Sequence, residues 1–471
     1  MPERFPAPVY AETVLEPNFD DAKKYFLDYL LRIHIAHTRM LAAQSLISRE
    51  EERILLAAVA SLDRSKIEAA RYDGSCEDLF FFIEGMLVEA CGIDVAGKMH
   101  TARSRNDIAI TLYRMAVRDQ ILSILRHLHA LIAQLQILAE RYSGAVMPAH
   151  THTQPAQPTT LGHYLLAIHE CLGRDAGRLQ AAFTTVNRCP MGAAAITTTG
   201  FPIDRNLTAT FLGFEGLAEN SYGAIAAIDY MTETAGSMAT LLVNVGKFTQ
   251  DLLLWSTREF SFIRLSDAYV QTSSIMPQKR NPVPLEHVRI LASRALGQAQ
   301  GIFTTAHNTP FGDINDSEDD LQPLVFGMFA DARKVLSLLA GVLSRVEIDQ
   351  SELARRAGTN FLTVTELADT LVRECRTSFR EAHGWVAAAV KACGNDDRPE
   401  AIADALFRVK PDLGIERSTV AEALDPVHFV TIRNIIGGPG PQAMQAALAK
   451  ARHRQAELTT WIEGKTAFTS N

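Results

Sequence analysis

Three long windows without proline are the feature that most constrains the fold of this chain. They lie between residues 158 and 190, between 202 and 277, and between 284 and 310. Proline in a helix interior removes a backbone hydrogen bond and clashes with the preceding turn. Windows of this length therefore leave room for long uninterrupted helices.

Apolar spacing predicts a long helix just before the first window, from Asn106, read as an N-cap, to a stop at Gly144. Apolar residues recur through it every three or four residues, or at sums of these: Ile108, Leu112, Met115, Leu122, Leu125, Leu128, Ile132, Leu135 and Leu138. A helix of about 35 residues spans about 50 Å. Helices of that length are typical of bundles and coiled coils.

Similar patterns predict further helices over residues 159–187, 218–257, 283–308 and 319–346. Little of the chain alternates with the period of two that a sheet needs, so the predicted fold is all-α, a bundle of long helices. Residues 224–227 and 241–245 make their helices apolar on more than one face. Because a second apolar face must also be buried, we expect a homo-oligomer.

Shorter helical patterns flank the bundle and divide the chain into three predicted helical domains, 1–105, 106–350 and 351–471. The flanking patterns cover residues 20–44, 50–70 and 77–90, and then 361–375, 382–393 and 442 onward. The Gly-Gly-Pro-Gly-Pro run at 437–441 lacks the Gly-Lys-Ser/Thr ending and the preceding strand of a phosphate loop. It is predicted to be a turn between helices.

Composition excludes several classes of protein. The chain has 47% hydrophobic and 21% charged residues, with a formal net charge of −8. That charge argues against nucleic acid or anionic membrane as a partner, since both need a basic face. No apolar run approaches the roughly twenty residues of a membrane span, and the first 24 residues lack the apolar core of a signal peptide. A cytoplasmic protein is expected.

The six cysteines show no CxxC spacing and lie mostly in helical patterns. They are Cys76, Cys91, Cys171, Cys189, Cys375 and Cys393. We interpret them as buried, reduced thiols and expect neither a metal site nor a disulfide framework.

Residues 272–282, which read Thr-Ser-Ser-Ile-Met-Pro-Gln-Lys-Arg-Asn-Pro, concentrate chemistry in one predicted loop. Hydroxyls, an ammonium and a carboxamide lie within ten residues, around a proline that breaks any helix. Such a loop can bring a base, a cation and backbone N–H groups to one carboxylate. On composition alone, a solvated connector remains the alternative.

Three segments, in order, carry a resemblance to a known family. Residues 272–282 resemble the mobile signature loop, Ser-Ser-x-Met-Pro-x-Lys-x-Asn, of the fumarase/aspartase superfamily, and are most similar to argininosuccinate lyases. Residues 100–107 are similar to that family's His-Thr-Gly-Arg-Ser-Arg-Asn-Asp motif, with Ala102 in place of Gly. Residues 151–158 resemble its Thr-His-x-Gln-x-Ala-Gln-Pro motif. Weaker matches run from about residue 20 to residue 383.

The resemblance implies a C–N lyase that releases fumarate from an N-substituted L-aspartate, with no metal or organic cofactor. It makes Ser273 the base that removes a proton beside a carboxylate. The alternative for Ser273 is a turn hydroxyl that caps a backbone N–H. Lys279 and Asn281 would hold the charge that develops, or be solvated loop residues. His152, held by Glu286, would protonate the leaving nitrogen.

The resemblance also implies a pocket for the succinyl half of the substrate. Its residues would be Ser104, Arg105, Asn106, Thr151, Gln154 and Met276. Asn106 could instead be only an N-cap. The same resemblance implies a homotetramer with active sites shared between subunits, because one chain can hardly join such distant segments of a long bundle.

The segment expected to recognise arginine departs from the family. Residues 313–321 read Asp-Ile-Asn-Asp-Ser-Glu-Asp-Asp-Leu, where argininosuccinate lyases carry Tyr-Asn-Arg/Lys-Asp-x-Gln-Glu-Asp-Lys. Asp313 replaces the Tyr, Glu318 the Gln and Leu321 the Lys. The amine is therefore left open between arginine and another amine, as in relatives that cleave aminopolycarboxylates. A non-catalytic structural protein, like the lens crystallins derived from this family, is disfavoured because Ser273 and His152 are present.

Overall fold

The computed structural model describes residues 5–470, and helices dominate them. The N-terminal part contains short helices, a π-helical turn at Ala11–Leu15 and a 3₁₀ turn at Gly97–His100. Its α-helices are α1 (Pro8–Tyr10), α2 (Glu16–Tyr25), α3 (Leu27–Ala43), α4 (Arg49–Ala60), α5 (Arg64–Ala69), α6 (Leu79–Cys91) and α7 (Ile93–Ala96). The predicted helices over 20–44 and 50–70 are each interrupted, at Phe26 and before the N-cap Asp63.

The central part is built on long helices, as predicted. The elements are α8 (Arg105–Arg141), β1 (Val146–Thr151), β2 (Gln154–Thr160), α9 (Leu161–Val186), α10 (Arg205–Phe211), α11 (Ser221–Ala226), α12 (Asp229–Trp255), β3 (Ile263–Arg264), β4 (Gln271–Thr272), β5 (Arg280–Asn281), α13 (Val283–Ala306), α14 (Gln322–Leu343) and β6 (Glu347–Ile348). Three 3₁₀ turns lie at Asp267–Tyr269, Asn315–Ser317 and Asp319–Leu321.

Short helices follow the bundle, and one long helix closes the chain. They are α15 (Gln350–Ala357), α16 (Val364–Cys375), α17 (Phe379–Cys393), α18 (Pro399–Val409), α19 (Arg417–Ala423), α20 (Pro426–Thr431) and α21 (Pro441–Ser470). The 437–441 run links α20 to α21, as predicted. Helix α21 returns to pack on α8 and α9 and contributes Met444 and Leu448 to the core of the bundle.

Three large clusters of buried apolar side chains occupy the three parts of the chain. The largest joins α8, α9, α12, α13 and α14. A second fills the N-terminal helices, and a third lies among α16, α17, α18 and α19. The domain limits at residues 105 and 350 stay a prediction. Helix α21 falls in the predicted C-terminal domain, but its side chains belong to the core of the bundle.

Two sequence predictions about the bundle are wrong in detail. The helix expected over 218–257 is divided, because Ala227 is extended at the end of α11 and a new helix begins at Asp229. The long helix α8 is capped by Ser104, so Asn106 lies inside its first turn and is not the N-cap.

A β-hairpin between α8 and α9 was not expected from the sequence. β1 and β2 are antiparallel, with Pro148 opposite Pro158 and an irregular register before His150. Proline is tolerated in this ribbon because each strand has a free edge. The two other pairs, β3 with β6 and β4 with β5, are only two residues long.

The prediction of buried cysteines needs correction, and one helix bears on the prediction that no segment spans a membrane. All six cysteines are free, but only Cys189 is buried and the other five are half-buried. Helix α8 is long and apolar enough to cross a membrane by length and composition alone. Its Leu125, Leu128 and Leu135 are fully buried in the core of the bundle, and core helices of soluble proteins pass the same test.

Candidate functional site

The 100–107 motif forms the entry to helix α8 and is fixed by a capping box. Asp107 accepts the Ser104 backbone N–H at 2.9 Å, and the Ser104 hydroxyl accepts the Asn106 N–H at 3.4 Å. The other Asp107 oxygen accepts N–H groups of Gly192 and Ala194 at 2.8 and 2.9 Å. Burial raises the pKa of Asp107, while these donors lower it. The first turn of α8 is thereby held in one position.

Two buried histidines on α3 contact the 100–107 segment. The buried Arg103 guanidinium donates to Nδ1 of His34 at 3.0 Å, and His37 donates from Nε2 to the Thr101 carbonyl at 2.8 Å. Burial, with Arg103 nearby, lowers the pKa of His34 far below its usual range and that of His37 to about 3. Both rings are therefore neutral near pH 7, which suits them to contact a buried cation.

A recess of about 360 Å³ opens where the first turn of α8 meets residues 313–320. Its walls also include α2 and the start of α6. The charged and amide side chains that line it are Asn18, Glu77, Asp78, Arg105, Asn106, Asp313, Asn315, Glu318, Asp319 and Asp320. Six of these are acidic and one is basic, so we name this cavity the acidic recess.

Hydrogen bonds join the acidic residues to the motif. The Asn106 amide donates to the Asp313 carboxylate, and Asp313 shares a hydrogen bond with Glu318. Burial, followed by this contact, raises the pKa of Glu318 to about 8. Elsewhere in the lining, the buried Tyr113 hydroxyl donates to Asp319 at 2.6 Å.

Arg105 is already engaged by acids of the same chain. Its guanidinium contacts Asp78 at 2.8 Å and Glu77 at 3.1 Å, and it lies over the Phe81 ring at 4.9 Å. The sequence predicted Arg105 as a ligand of the substrate carboxylate. In this arrangement, part of its charge is neutralised before any substrate binds.

The 151–158 motif forms the tip and second strand of the β1–β2 hairpin. His152 and Thr153 occupy the two turn positions with φ of 51° and 61°. Positive φ at both positions is what a type I′ turn requires, and it is unusual for residues other than glycine and asparagine. The turn holds Thr151, His152 and Gln154 exposed at the end of the hairpin.

The signature loop lies between β4 and β5, just before α13. The Ser273 hydroxyl oxygen accepts the backbone N–H of Met276 at 3.1 Å and that of Ile275 at 3.4 Å. Arg280 anchors the base of the loop through the Leu265 carbonyl at 2.7 Å. This geometry is compatible with Ser273 as the base and also with Ser273 as a turn hydroxyl, because N–H donors that contact a turn hydroxyl also stabilise an alkoxide.

Other loop residues are directed to solvent. Met276 and Lys279 are exposed, and Ile275 is 82% exposed. Glu286 is also exposed, in the first turn of α13.

One chain brings only some of the predicted site residues together. Arg105, Asn106, Asp313 and Glu318 line the acidic recess, while the hairpin and the loop lie elsewhere. The 37 residues of α8 span about 55 Å between the Asn106 turn and the hairpin. Likewise, the 24 residues of α13 span about 36 Å between the loop and the 313–320 segment.

Sequence reasoning missed Glu77, Asp78, Tyr113 and Asp319. Asp78 caps α6 by accepting the Phe81 N–H at 2.9 Å. An aspartate directly before an apolar run is a sequence pattern that predicts an N-cap. Its contact with Arg105, 27 residues away, depends on tertiary packing. Within residues 5–470, no group of three or more His, Cys, Asp or Glu side chains is arranged to hold a metal ion.

Comparisons with protein families and curated proteins agree with the three motifs. A family model described as a lyase matches residues 73–297, and one described as the argininosuccinate lyase C-terminal region matches residues 361–431. Argininosuccinate lyase 2 of Agrobacterium fabrum is 42% identical, over 95% of this chain and 91% of that protein. An argininosuccinate lyase of Methanosarcina barkeri is 36% identical, over 93% of this chain and 89% of that protein.

Solved structures give the same picture. An EDDS lyase variant with bound fumarate has a TM-score of 0.87 and 30% identity, covering 99% of this chain and 93% of that one. The 3-carboxy-cis,cis-muconate lactonizing enzyme of Pseudomonas putida has a TM-score of 0.75 at 18% identity, covering 96% of this chain and all of that one, and shares the fold alone.

Proposed function

Because this chain belongs to the argininosuccinate lyase family of the fumarase/aspartase superfamily, we propose that it is a C–N lyase. The substrate is an N-substituted L-aspartate, and one product is fumarate. The single observation that carries the proposal is the signature loop, in which the Ser273 hydroxyl oxygen faces two backbone N–H groups. The reaction needs no cofactor, since side chains supply the base, the cation and the acid.

The proposed reaction is an anti elimination. Ser273, as an alkoxide, removes a proton from the methylene carbon of the aspartate half, the carbon that does not carry the nitrogen. One of the two substrate carboxylates is bonded to this carbon. The electron pair is held on that carboxylate by Lys279 and Asn281, and returns to form the double bond of fumarate. The C–N bond breaks, its electrons go to nitrogen, and His152, with Glu286 beside it, gives nitrogen a proton.

The donors around Ser273 support its role as the base. A serine hydroxyl is a poor base unless its anion is stabilised, and backbone N–H groups at 3.1 and 3.4 Å provide that stabilisation without added charge. Loop closure would add Lys279 and remove water. Met276 and Asn281 would then contact the succinyl half together with Ser104, Arg105, Asn106, Thr151 and Gln154.

We propose a homotetramer in the cytoplasm, with each active site shared between subunits. The support is geometric, because α8 and α13 separate the acidic recess from the hairpin and from the loop within one chain. Subunits packed antiparallel would bring the loop of one chain to the recess of another. The same packing would cover apolar side chains left exposed on bundle helices, such as Ile290 and Val243.

The test of this function is fumarate release, followed by its ultraviolet absorbance. The purified chain is mixed with argininosuccinate and with a set of N-substituted L-aspartates, and separately with fumarate and amines to run the reaction backwards. Fumarate should appear from at least one adduct, or be consumed with at least one amine. No turnover in either direction with any of them would contradict the lyase assignment and favour a non-catalytic protein.

A further inference from the structure

The acidic recess carries an inference about the amine half of the substrate, which rests on the proposed lyase function. Asn106 lines this recess, belongs to the motif that would hold the succinyl half, and contacts Asp313 directly. Whatever extends from the substrate nitrogen beyond Asn106 therefore enters a space bordered by Asp313, Glu318 and Asp319.

The charges of this space select against a carboxylate. Six acidic side chains and one basic side chain line it among the described residues, and the basic one, Arg105, is paired with Asp78 and Glu77. Burial raises the pKa of Glu318, followed by the contact with Asp313 and the charge of Asp319, while Arg105 lowers it. A ligand cation beside Asp313 and Glu318 would stabilise both as carboxylates.

Apolar side chains also line the recess. They are Phe19, Phe26 and Leu112, together with Ile108 and Leu15. A recess lined by both apolar side chains and carboxylates fits a methylene chain with a cationic end, since the chain covers carbon and the end meets oxygen. Acids alone would not specify such a ligand. The combination with the apolar lining and with Asn106 of the motif does.

We infer that the leaving amine carries a second cationic group at its far end and no carboxylate, as in an aliphatic diamine or a guanidinoalkylamine. Asp313 and Glu318 are then the specificity-determining residues. An α-amino acid such as arginine would bring its carboxylate against these acids, and a simple alkylamine would leave them without a counter-charge.

Matched amines test this inference in the addition direction, with excess fumarate and the intact enzyme. Agmatine and arginine differ by one carboxylate, as do putrescine and ornithine, and cadaverine and lysine. Butylamine lacks the second cation of putrescine. We expect kcat/KM at least tenfold higher for each carboxylate-free member of the three pairs, and for putrescine over butylamine.

Variants assign the preference to the recess. Asp313→Asn and Glu318→Gln keep side-chain size and remove the carboxyl group that would ionise beside a ligand cation, and each should lower the agmatine-to-arginine ratio of kcat/KM at least tenfold. Asp316→Asn removes a carboxyl group from an exposed neighbour outside the recess and should leave the ratio unchanged. The ratio within one variant is insensitive to the fraction of folded protein.

The outcomes separate this inference from the lyase assignment. Fumarate addition with arginine, ornithine or lysine equal to or better than their carboxylate-free partners overturns the inference and leaves a lyase for an amino acid. A preference that persists unchanged in both variants also overturns it. If no amine adds and no adduct releases fumarate, the lyase assignment itself fails.

Discussion

At the scale of single residues, backbone strain marks two of the three motifs. Ala102 has a φ of 62° where the family motif has glycine, and His152 and Thr153 also have positive φ. Each such residue costs about 1–2 kcal/mol relative to a right-handed conformation. Strain of this kind is retained where the surrounding structure or function requires it, and His152 is the proposed acid.

The first prediction concerns the base. Ser273→Ala should lower kcat by several orders of magnitude with little change in KM, because it removes a group used only in the transition state. Steady-state kinetics of fumarate release provide the measurement. Ser274→Ala, one residue along, should lose far less. Turnover near wild type in Ser273→Ala would sink the assignment.

The second prediction uses the raised pKa of Glu318. A carboxyl with an ordinary pKa of 4.5 and a folded-state pKa of about 8 favours folding less as pH rises through that window. Asp313, Asp319 and Arg105 face it and take part in the effect. The melting temperature of the wild type should fall from pH 5 to pH 9, and less steeply in Glu318→Gln.

Thermal unfolding in one buffer series measures these slopes, with Asp316→Asn as the charge-matched control. That variant should follow the wild-type slope, because Asp316 is exposed and outside the recess. Equal slopes for wild type and Glu318→Gln would argue that Glu318 titrates as an ordinary carboxyl.

At the scale of elements, the close approach of α8 and α9 sets the base of the hairpin. Gly162 lies in the first turn of α9, and its N–H donates to the Tyr142 carbonyl at 3.0 Å. A Cβ at Gly162 would lie 2.5 Å from the Ala139 carbonyl oxygen and 2.7 Å from the Ser143 Cα. Both neighbours are backbone atoms, so the helices would have to separate.

The third prediction is that Gly162→Ala destabilises the protein by about 1–3 kcal/mol, the usual cost of overpacking a core. Gly384→Ala is the matched control, because Gly384 is an exposed position in helix α17 with no atom within 4 Å of the added Cβ. That control should be stabilising by about 0.4–1 kcal/mol. Denaturant unfolding compares the two, and equal stabilities would show that the helices can move apart freely.

At the scale of the whole molecule, the bundle separates groups that the reaction needs together. The recess with Asn106 and the loop with Ser273 lie a helix length apart in one chain. Two inactive variants, Ser273→Ala and Asn106→Ala, should therefore complement each other after subunit exchange. If the two groups come from different chains, random mixing makes about a quarter of the sites intact.

Activity measured before and after exchange tests this fourth prediction, with each variant exchanged against itself as the control. Exchange is verified by the appearance of mixed oligomers from differently tagged chains. Mixed oligomers without activity would mean that each chain supplies both groups to one site, against the proposed assembly.

Helix positions and motif chemistry were readable from the sequence alone. The apolar period of α8, the proline-free windows and the order of three motifs depend on neighbours along the chain, so they predicted the all-α bundle and the loop at residues 272–282. The capping by Ser104 and not Asn106 and the β1–β2 hairpin were missed, because local signals there compete within a few residues.

Only the tertiary structure decided which of these segments meet. Asp78 lies 27 residues from Arg105 in the sequence, and Asn106 lies 207 residues from Asp313. Their contacts follow from how the helices pack and not from any local pattern. The same packing carries the hairpin and the loop away from the recess. Sequence determined what each segment can do chemically, and packing determined that acidic and apolar side chains from distant segments line one recess with Asn106.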